Sequence, residues 1–232
     1  MGEPAVPSCA HEVVEISVDL PDAAARARAQ RIGRKAMAEV SLLLDSGDRR
    51  EIVVPARVGR LLQDGAVELP REEDDAFDAV HALEGRVCFA MLTEMLARRD
   101  HAESEIRRKL SSYGFRDIEI EGSISRAREL RFLNDDRFAS YFIEERVRRG
   151  WGRRRIEAEL SRRGVDAREV PGYPDAFFTE EGDLERARAL LARRRVPEQR
   201  AYEKLVRFLV SRGFPFGVAA DAVRERLSQQ GE

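Results

Sequence analysis

The chain of 232 residues is long enough for one large or two small domains. Charged residues make up 36% and aromatic residues 7%, a composition typical of solvated helices rather than of β-sandwiches rich in aromatic strands. The two cysteines form no CxxC pair and the apolar runs are far too short to span a bilayer, which argues against a disulfide framework, a zinc ribbon and a membrane protein. We therefore expect a soluble, cytoplasmic and mainly helical protein.

The formal net charge of −2 conceals an uneven distribution along the chain. Residues 1–85 carry 10 Lys and Arg against 17 Asp and Glu, whereas residues 86–165 carry 19 against 14. An acidic leader thus precedes a basic region. A basic region of this kind suits a surface that contacts a polyanion or an acidic protein.

The amino-terminal part predicts a small β structure. The first ten residues are expected to form a loose tail, and the alternation of apolar and polar residues over 12–20 predicts a strand. The Ala- and Arg-rich segment 22–38 predicts a helix. Two aliphatic segments, 39–44 and 50–54, lie on either side of a glycine-containing turn and predict a β-hairpin.

Helical periodicity begins after this extension. We expect one helix over residues 77–83 and another over 89–96. Asp100 and Glu103 have the spacing of a capping box and predict the start of the next helix, which Gly114 ends. A further helix completes a first helical unit.

The helical pattern recurs at fixed offsets. A shift of 50 residues aligns Gly114 with Gly164, and a shift of 63 residues aligns Gly150 with Gly213. Such self-similarity predicts a mainly α fold, an elongated array of tandem three-helix repeats behind a small β-containing extension. The predicted boundaries are 1–70 for the extension, 71–134 for the first repeat, 135–197 for the second, and 198–232 for a third, truncated repeat.

The second repeat is interrupted by two prolines. Pro171 and Pro174 lack amide donors, so no continuous helix is expected over residues 170–178. A helix starting at Asp183 is interpreted as the displaced third helix of this repeat. The third repeat then has two helices, with no room for another before Glu232.

Two groups of basic residues are the candidate partner-binding site. Arginine binds carboxylates and phosphates through two parallel hydrogen bonds, so a cluster at an interhelix turn can contact DNA or an acidic protein. The alternative is a solvated face paired with neighbouring glutamates. Trp151 either inserts into a partner or packs locally, and its repeat equivalents His101 and Phe214 favour packing. The first group is Arg146, Arg148, Arg149, Arg153, Arg154 and Arg155, together with Trp151, and the second is Arg98, Arg99, Arg107, Arg108 and Lys109.

Three segments in order carry a resemblance to a known family. They are LNDDRFA at 133–139, RGWGRRRI at 149–156 and KLVRFL at 204–209. The chain resembles the RecX regulators of the RecA recombinase over residues 86–228. The resemblance implies a non-enzymatic protein that binds the RecA–DNA filament and limits its extension, ATP hydrolysis and strand exchange. RecX proteins keep helix at 170–178, where this chain departs from the pattern.

The sequence offers no motif for catalysis. Neither phosphate-binding glycine loop occurs, and the three histidines lack metal-ligand spacing, so we expect no catalytic residue, metal or cofactor. A second hypothesis is a helical repeat protein that binds nucleic acid without RecA. A third is a scaffold whose charges only maintain solubility. We expect a monomer that binds single- or double-stranded DNA weakly.

Overall fold

The structure of the protein is a computed structural model that describes residues 11–229. The predicted amino-terminal tail and Cys9 lie outside the described residues. The chain divides into two compact units. The first comprises the chain up to Asp100 together with Ile106–Leu133, and the second comprises His101–Glu105 together with the chain from Asn134 onward.

The first unit begins with a four-stranded antiparallel sheet. The strand order is β3-β2-β1-β4, and Val18 and Ile52 both pair with Val40 of the second strand. The predicted strand and hairpin are confirmed. The predicted helix is shorter than expected because the chain turns at Gly33, with a φ of 72°, before the second strand starts. The elements are β1 (Glu12–Asp19), α1 (Ala23–Arg31), β2 (Met37–Leu44), β3 (Arg49–Pro55), α2 (Ala56–Gln63) and β4 (Arg71–Glu72).

Three helices complete the first unit's core, which also contains Ala38, Val40 and Val54 of the sheet. They are α3 (Glu73–Arg98), α4 (Glu103–Ser112, shared between the units) and α5 (Asp117–Glu129). The prediction of two helices over 77–96 is wrong, because α3 is continuous. Its buried residues Val80, Leu83, Val87 and Met91 keep a three-four spacing past Gly85, so one apolar face runs through both predicted segments.

The start of α4 also differs from the prediction. The helix begins at Glu103, whose backbone N–H donates to the Asp135 carboxylate over 3.0 Å. The position of Asp135 before an apolar run predicts instead that it caps its own helix. That cap is Asn134, whose side chain accepts from the Arg137 amide over 2.8 Å. A residue 32 positions away therefore caps α4.

The second unit is helical. Its elements are α6 (Asp135–Arg148), α7 (Arg153–Arg162), a short 3-10 turn (Ala167–Glu169), α8 (Glu180–Ala192), α9 (Ala201–Ser211) and α10 (Phe216–Ser228). The break at Pro171 and Pro174 is confirmed, since turns replace helix between the 3-10 turn and α8. Thr179 caps α8, so this helix starts three residues before Asp183.

Helix α8 does not serve as the third helix of the second repeat. Its buried residues Ala187 and Leu191 share a core with Leu205 of α9 and Val223 of α10. The core of α6 and α7 is separate. It is completed by Val170 and Phe178, which lie at the two ends of residues 170–178, the proline segment. The interpretation of α8 as a displaced helix is therefore wrong.

The fold class is confirmed as mainly α, with three-helix units and a small antiparallel sheet. The repeat boundaries and the elongation stay predictions. Between residues 11 and 229, no helix is both long and apolar enough to cross a membrane.

Candidate partner-binding surface

The basic turn, residues 146–155, joins α6 to α7. Gly150 has a φ of 75°, a left-handed conformation that side chains other than glycine rarely adopt. Its amide donates to the Val147 carbonyl and the Trp151 amide to the Arg146 carbonyl, both over 2.9 Å. This hydrogen-bond pattern ends α6, and α7 begins after the four residues 149–152.

The turn is attached to the α9–α10 turn by its backbone. The Gly152 amide donates to the Arg212 carbonyl over 2.9 Å, and the Arg154 amide donates to the Gly213 carbonyl over 3.2 Å. A Cβ on Gly152 would lie 2.3 Å from the carbonyl carbon of Gly213 and 2.4 Å from the Phe214 nitrogen. The glycines of the two interhelix turns thus permit a close approach of two backbones.

Two arginines of the basic turn hold Trp151 in place. The Arg155 guanidinium lies 3.8 Å from the centroid of the indole ring and that of Arg146 lies 5.0 Å from it. Arg146 also lies over Phe142, at 4.7 Å. Trp151 packs against the α6–α7 core, so its placement agrees with a packing role.

Arg153 is engaged by a carboxylate of its own helix. Its Nε donates to Glu157 Oε1 over 2.9 Å, and the Tyr173 hydroxyl donates to the same oxygen over 2.6 Å. Burial acts to raise the pKa of Glu157, but these two hydrogen bonds, together with the charges of Arg153 and Arg168, lower the pKa overall. Burial and the charge of Glu157 raise the pKa of Tyr173. Glu157 is therefore held ionised and connects α7 to the proline segment.

The remaining three arginines of the basic turn point into solvent. Arg148, Arg149 and Arg154 are exposed, and Arg149 pairs with Glu145 over 2.5 Å. Arg154 lines a concave surface together with Arg168. Arg168 lies outside the arginine-rich segment, so the sequence did not single it out. The six predicted arginines thus divide into an inner set, Arg146, Arg153 and Arg155, and an outer set, Arg148, Arg149 and Arg154.

The second predicted group lies at the end of α3 and along α4. Arg98, Arg99, Arg108 and Lys109 are exposed. Arg107 forms an ion pair with Glu121. The Lys109 ammonium lies 5.7 Å from the ring centroid of Tyr113. The alignment of this group with the basic turn stays a prediction.

Two buried glutamates and a partly buried histidine in the first unit have the donor types of a metal site. His81, Glu84 and Glu119 bring one ligand atom each within 4.8 Å of one another. The Arg116 guanidinium already lies among them, with Nε 3.5 Å from Glu84 Oε2 and Nη1 3.5 Å from His81 Nε2, and it pairs with Glu119. Burial, and then the charge of Glu119, raise the pKa of Glu84 to about 7. Arg116 therefore supplies the positive charge that a metal ion would bring.

Cys88 lies in the core of the first unit. It is fully buried, and burial raises the pKa of its thiol to about 11. Cys88 is therefore a small apolar core side chain rather than a reactive thiol.

The fold and the basic turn define a tandem three-helix-repeat protein with a positively charged surface between two helices. A family model described as the second three-helix domain of RecX matches residues 134–170, which contain the basic turn. The regulatory protein RecX of Vibrio vulnificus is 34% identical over 148 residues, covering 62% of this chain and 92% of the relative. The regulatory protein RecX of Thermus thermophilus is 36% identical over 143 residues, covering 60% of this chain and 92% of the relative.

The chain therefore belongs to the RecX family of regulatory proteins, and this membership supports a regulatory role. Two solved structures support the fold alone. A crystal structure of a regulatory protein RecX matches 81% of this chain and 94% of its own with a TM-score of 0.57 at 20% identity. The crystal structure of RecX from Lactobacillus salivarius matches 62% of this chain and 97% of its own, with a TM-score of 0.51 at 18% identity.

Proposed function

We propose that the chain is a non-enzymatic regulator of the RecA recombinase that binds the RecA–DNA filament. Binding limits filament extension, ATP hydrolysis and strand exchange. The observation that carries the proposal is the outer arginine set, presented by a turn whose backbone is fixed at Gly150 and Gly152. A fixed turn loses little conformational freedom on binding, and exposed guanidiniums suit carboxylates and phosphates.

The division of the arginines decides which residues to change. Replacing Arg153 or Arg155 also removes a contact to Glu157 or Trp151, so lost activity can result from a disturbed turn. The outer set avoids this difficulty because its side chains are exposed. A matched control is the change of Arg28, Arg31 and Arg34 to Ala, which removes three exposed arginines elsewhere in the chain.

The experiment measures RecA's ATP hydrolysis on single-stranded DNA, titrated with the chain and with RecA from the same organism. Wild-type protein is expected to inhibit at substoichiometric concentration. Changing Arg148, Arg149 and Arg154 to Ala is expected to raise the half-inhibitory concentration about tenfold or more, since three exposed charge contacts contribute roughly 0.5–1 kcal/mol each. The triple control should inhibit like the wild type. No inhibition by wild-type protein up to equimolar ratio contradicts the proposal.

The second candidate function is nucleic-acid binding without RecA. The exposure of Arg148 and Arg154 favours it, because exposed guanidiniums can contact phosphate directly. The regulator proposal expects only weak DNA binding by the free chain at physiological salt. Nanomolar DNA binding in the absence of RecA would favour the second function. A plain scaffold, in turn, predicts that changes in the basic turn alter solubility alone.

A further inference from the structure

A pocket of the first unit collects positive charge from several separate elements. It has a volume of about 630 Å³, within the range of small-molecule sites. One carboxylate, Glu94, also lies in its wall. The six basic side chains that line it are Arg26, Lys35, Arg57, Arg60, Arg98 and Lys109.

The basic lining of the pocket contrasts with the acidic composition of the segment that supplies most of it. Residues 1–85 carry an excess of acidic over basic residues, and they supply four of the six basic side chains. Among the part of that segment that the structure describes, no acidic residue lines the pocket. A concave surface lined mainly by one sign of charge concentrates the field and attracts an oppositely charged ligand.

Among the residues that the structure describes, the one carboxylate of the pocket wall is already neutralised by a neighbour. Arg57 donates to both oxygens of Glu94, with Nη2–Oε1 2.6 Å and Nη1–Oε2 3.0 Å. This hydrogen bonding by Arg57 lowers the pKa of Glu94. The pair also connects α2 to α3. The positive charge of Lys35, Arg60 and Lys109 is therefore not balanced by this carboxylate.

The walls of the pocket are held by close packing. The Lys35 amide donates to the Ser112 carbonyl over 2.8 Å, which attaches the α1–β2 loop to the end of α4. A Cβ on Gly59 of α2 would lie 2.5 Å from the Cβ of Ala38 on β2. The basic side chains thus extend from a backbone frame that exists before any ligand binds.

Part of the pocket lining is apolar and aromatic, which binding of an inorganic anion does not need. Met91, Met95 and Tyr113 belong to this part. The ammonium groups of Lys35 and Lys109 each lie 5.7 Å from the ring centroid of Tyr113. An aromatic ring beside cationic groups is the combination that binds single-stranded nucleic acids, with the base on the ring and phosphate on the cations.

We propose that this pocket binds a nucleoside phosphate, either free or as one unit of a single strand. The site lies in the first unit, away from the basic turn in sequence, and its ligand binding does not require RecA. Because none of Arg148, Arg149 and Arg154 lines the pocket, changes in the pocket test this proposal and changes in the basic turn test the proposed control of RecA.

The test measures binding of the full chain, without RecA, to a fluorescent oligo-deoxythymidine by anisotropy over a series of salt concentrations. Unlabelled deoxythymidine monophosphate serves as competitor and separates the two sources of the ligand. Its competition indicates a site for one nucleoside phosphate, whereas competition by the oligonucleotide alone indicates a site that needs neighbouring phosphates. Either result supports the proposal.

Two variants locate the binding. Lys35→Glu with Arg60→Glu is expected to weaken oligonucleotide binding at least about tenfold and to lower the salt slope by about 1.4, because each single-strand phosphate contact contributes about 0.7. The matched control is Arg28→Glu with Arg31→Glu, which reverses two exposed charges on α1 outside the pocket. This control should leave the oligonucleotide affinity and the salt slope unchanged. Tyr113→Leu keeps an apolar side chain and is expected to weaken binding about fivefold by removing stacking.

Three results would overturn the proposal. One is the absence of oligonucleotide binding even at low salt. Another is an equal loss of affinity in the pocket and control reversals, which would mean that only overall charge matters. The third is displacement by poly-glutamate as effective as displacement by unlabelled oligonucleotide at equal charge, which would assign the pocket to acidic polypeptides.

Discussion

A methyl group at Gly152 should separate the basic turn from the α9–α10 turn. The residue has φ −83° and ψ 160°, which alanine adopts without strain, so Gly152→Ala tests space alone. The new Cβ would lie 2.3 Å from the carbonyl carbon of Gly213, whereas ordinary contacts begin near 3.4 Å. The two backbones must therefore move apart by about 1 Å.

Such a displacement lengthens two hydrogen bonds beyond their useful range. The bonds from the Gly152 and Arg154 amides are 2.9 and 3.2 Å long, and each contributes about 1 kcal/mol. Phe214, which is fully buried beside the contact, loses packing as well. With the strain of overpacking, we expect Gly152→Ala to lower the free energy of unfolding by about 3–4 kcal/mol.

Denaturant unfolding followed by the fluorescence of Trp151 measures this effect, because the chain has one tryptophan and it lies in the turn concerned. Gly122→Ala is the control. This glycine lies inside α5, a Cβ there would meet no heavy atom within 4 Å, and helix propensity predicts a gain of roughly 0.5–1 kcal/mol in stability. A midpoint for Gly152→Ala equal to that of the wild type would refute the described contact.

Two further variants test groups that lie outside the basic turn. The pKa of Glu84 is raised from 4.5 to about 7, so the folded chain binds this proton more tightly than the unfolded chain and loses stability as pH rises through this interval. Thermal unfolding should therefore show Glu84→Gln to be more stable than wild type at pH 8, by at most about 3 kcal/mol. Near pH 4 the two proteins should not differ. Glu129→Gln is the matched control, since it makes the same change at an exposed position. Asp135→Ala should cost about 1 kcal/mol by leaving the Glu103 amide without its cap, whereas Asp136→Ala should cost less in the same denaturant assay.

Local patterns in the sequence predicted much of the helical structure. Gly114, Gly150, Gly164 and Gly213 all have positive φ, so the aligned glycines mark true helix ends. The errors arise where a distant residue decides the outcome. Asp135 caps a helix that starts 32 residues earlier, and no local window contains both partners.

The candidate site shows the same limit. The density of arginine located the basic turn, but density does not distinguish arginines that contact solvent from arginines that hold the turn. That distinction depends on the rings of Trp151 and Tyr173, which the fold places against Arg155 and Arg153. Of the six basic residues of the first unit's pocket, the sequence singled out only Arg98 and Lys109, because α1, α2, α3 and α4, together with the α1–β2 loop, each contribute only one or two of them.

The small number of exposed arginines in the basic turn constrains how a regulator of this kind binds. Three guanidiniums at roughly 0.5–1 kcal/mol each supply about 3 kcal/mol at most, while a micromolar complex needs about 8 kcal/mol in favourable free energy. The basic turn alone is thus too weak to hold a partner. A second contact region must contribute, and the effective concentration created by the first contact then strengthens the second without any new interaction. Changing either region should accordingly raise the half-inhibitory concentration about tenfold or more, rather than merely halve the inhibition.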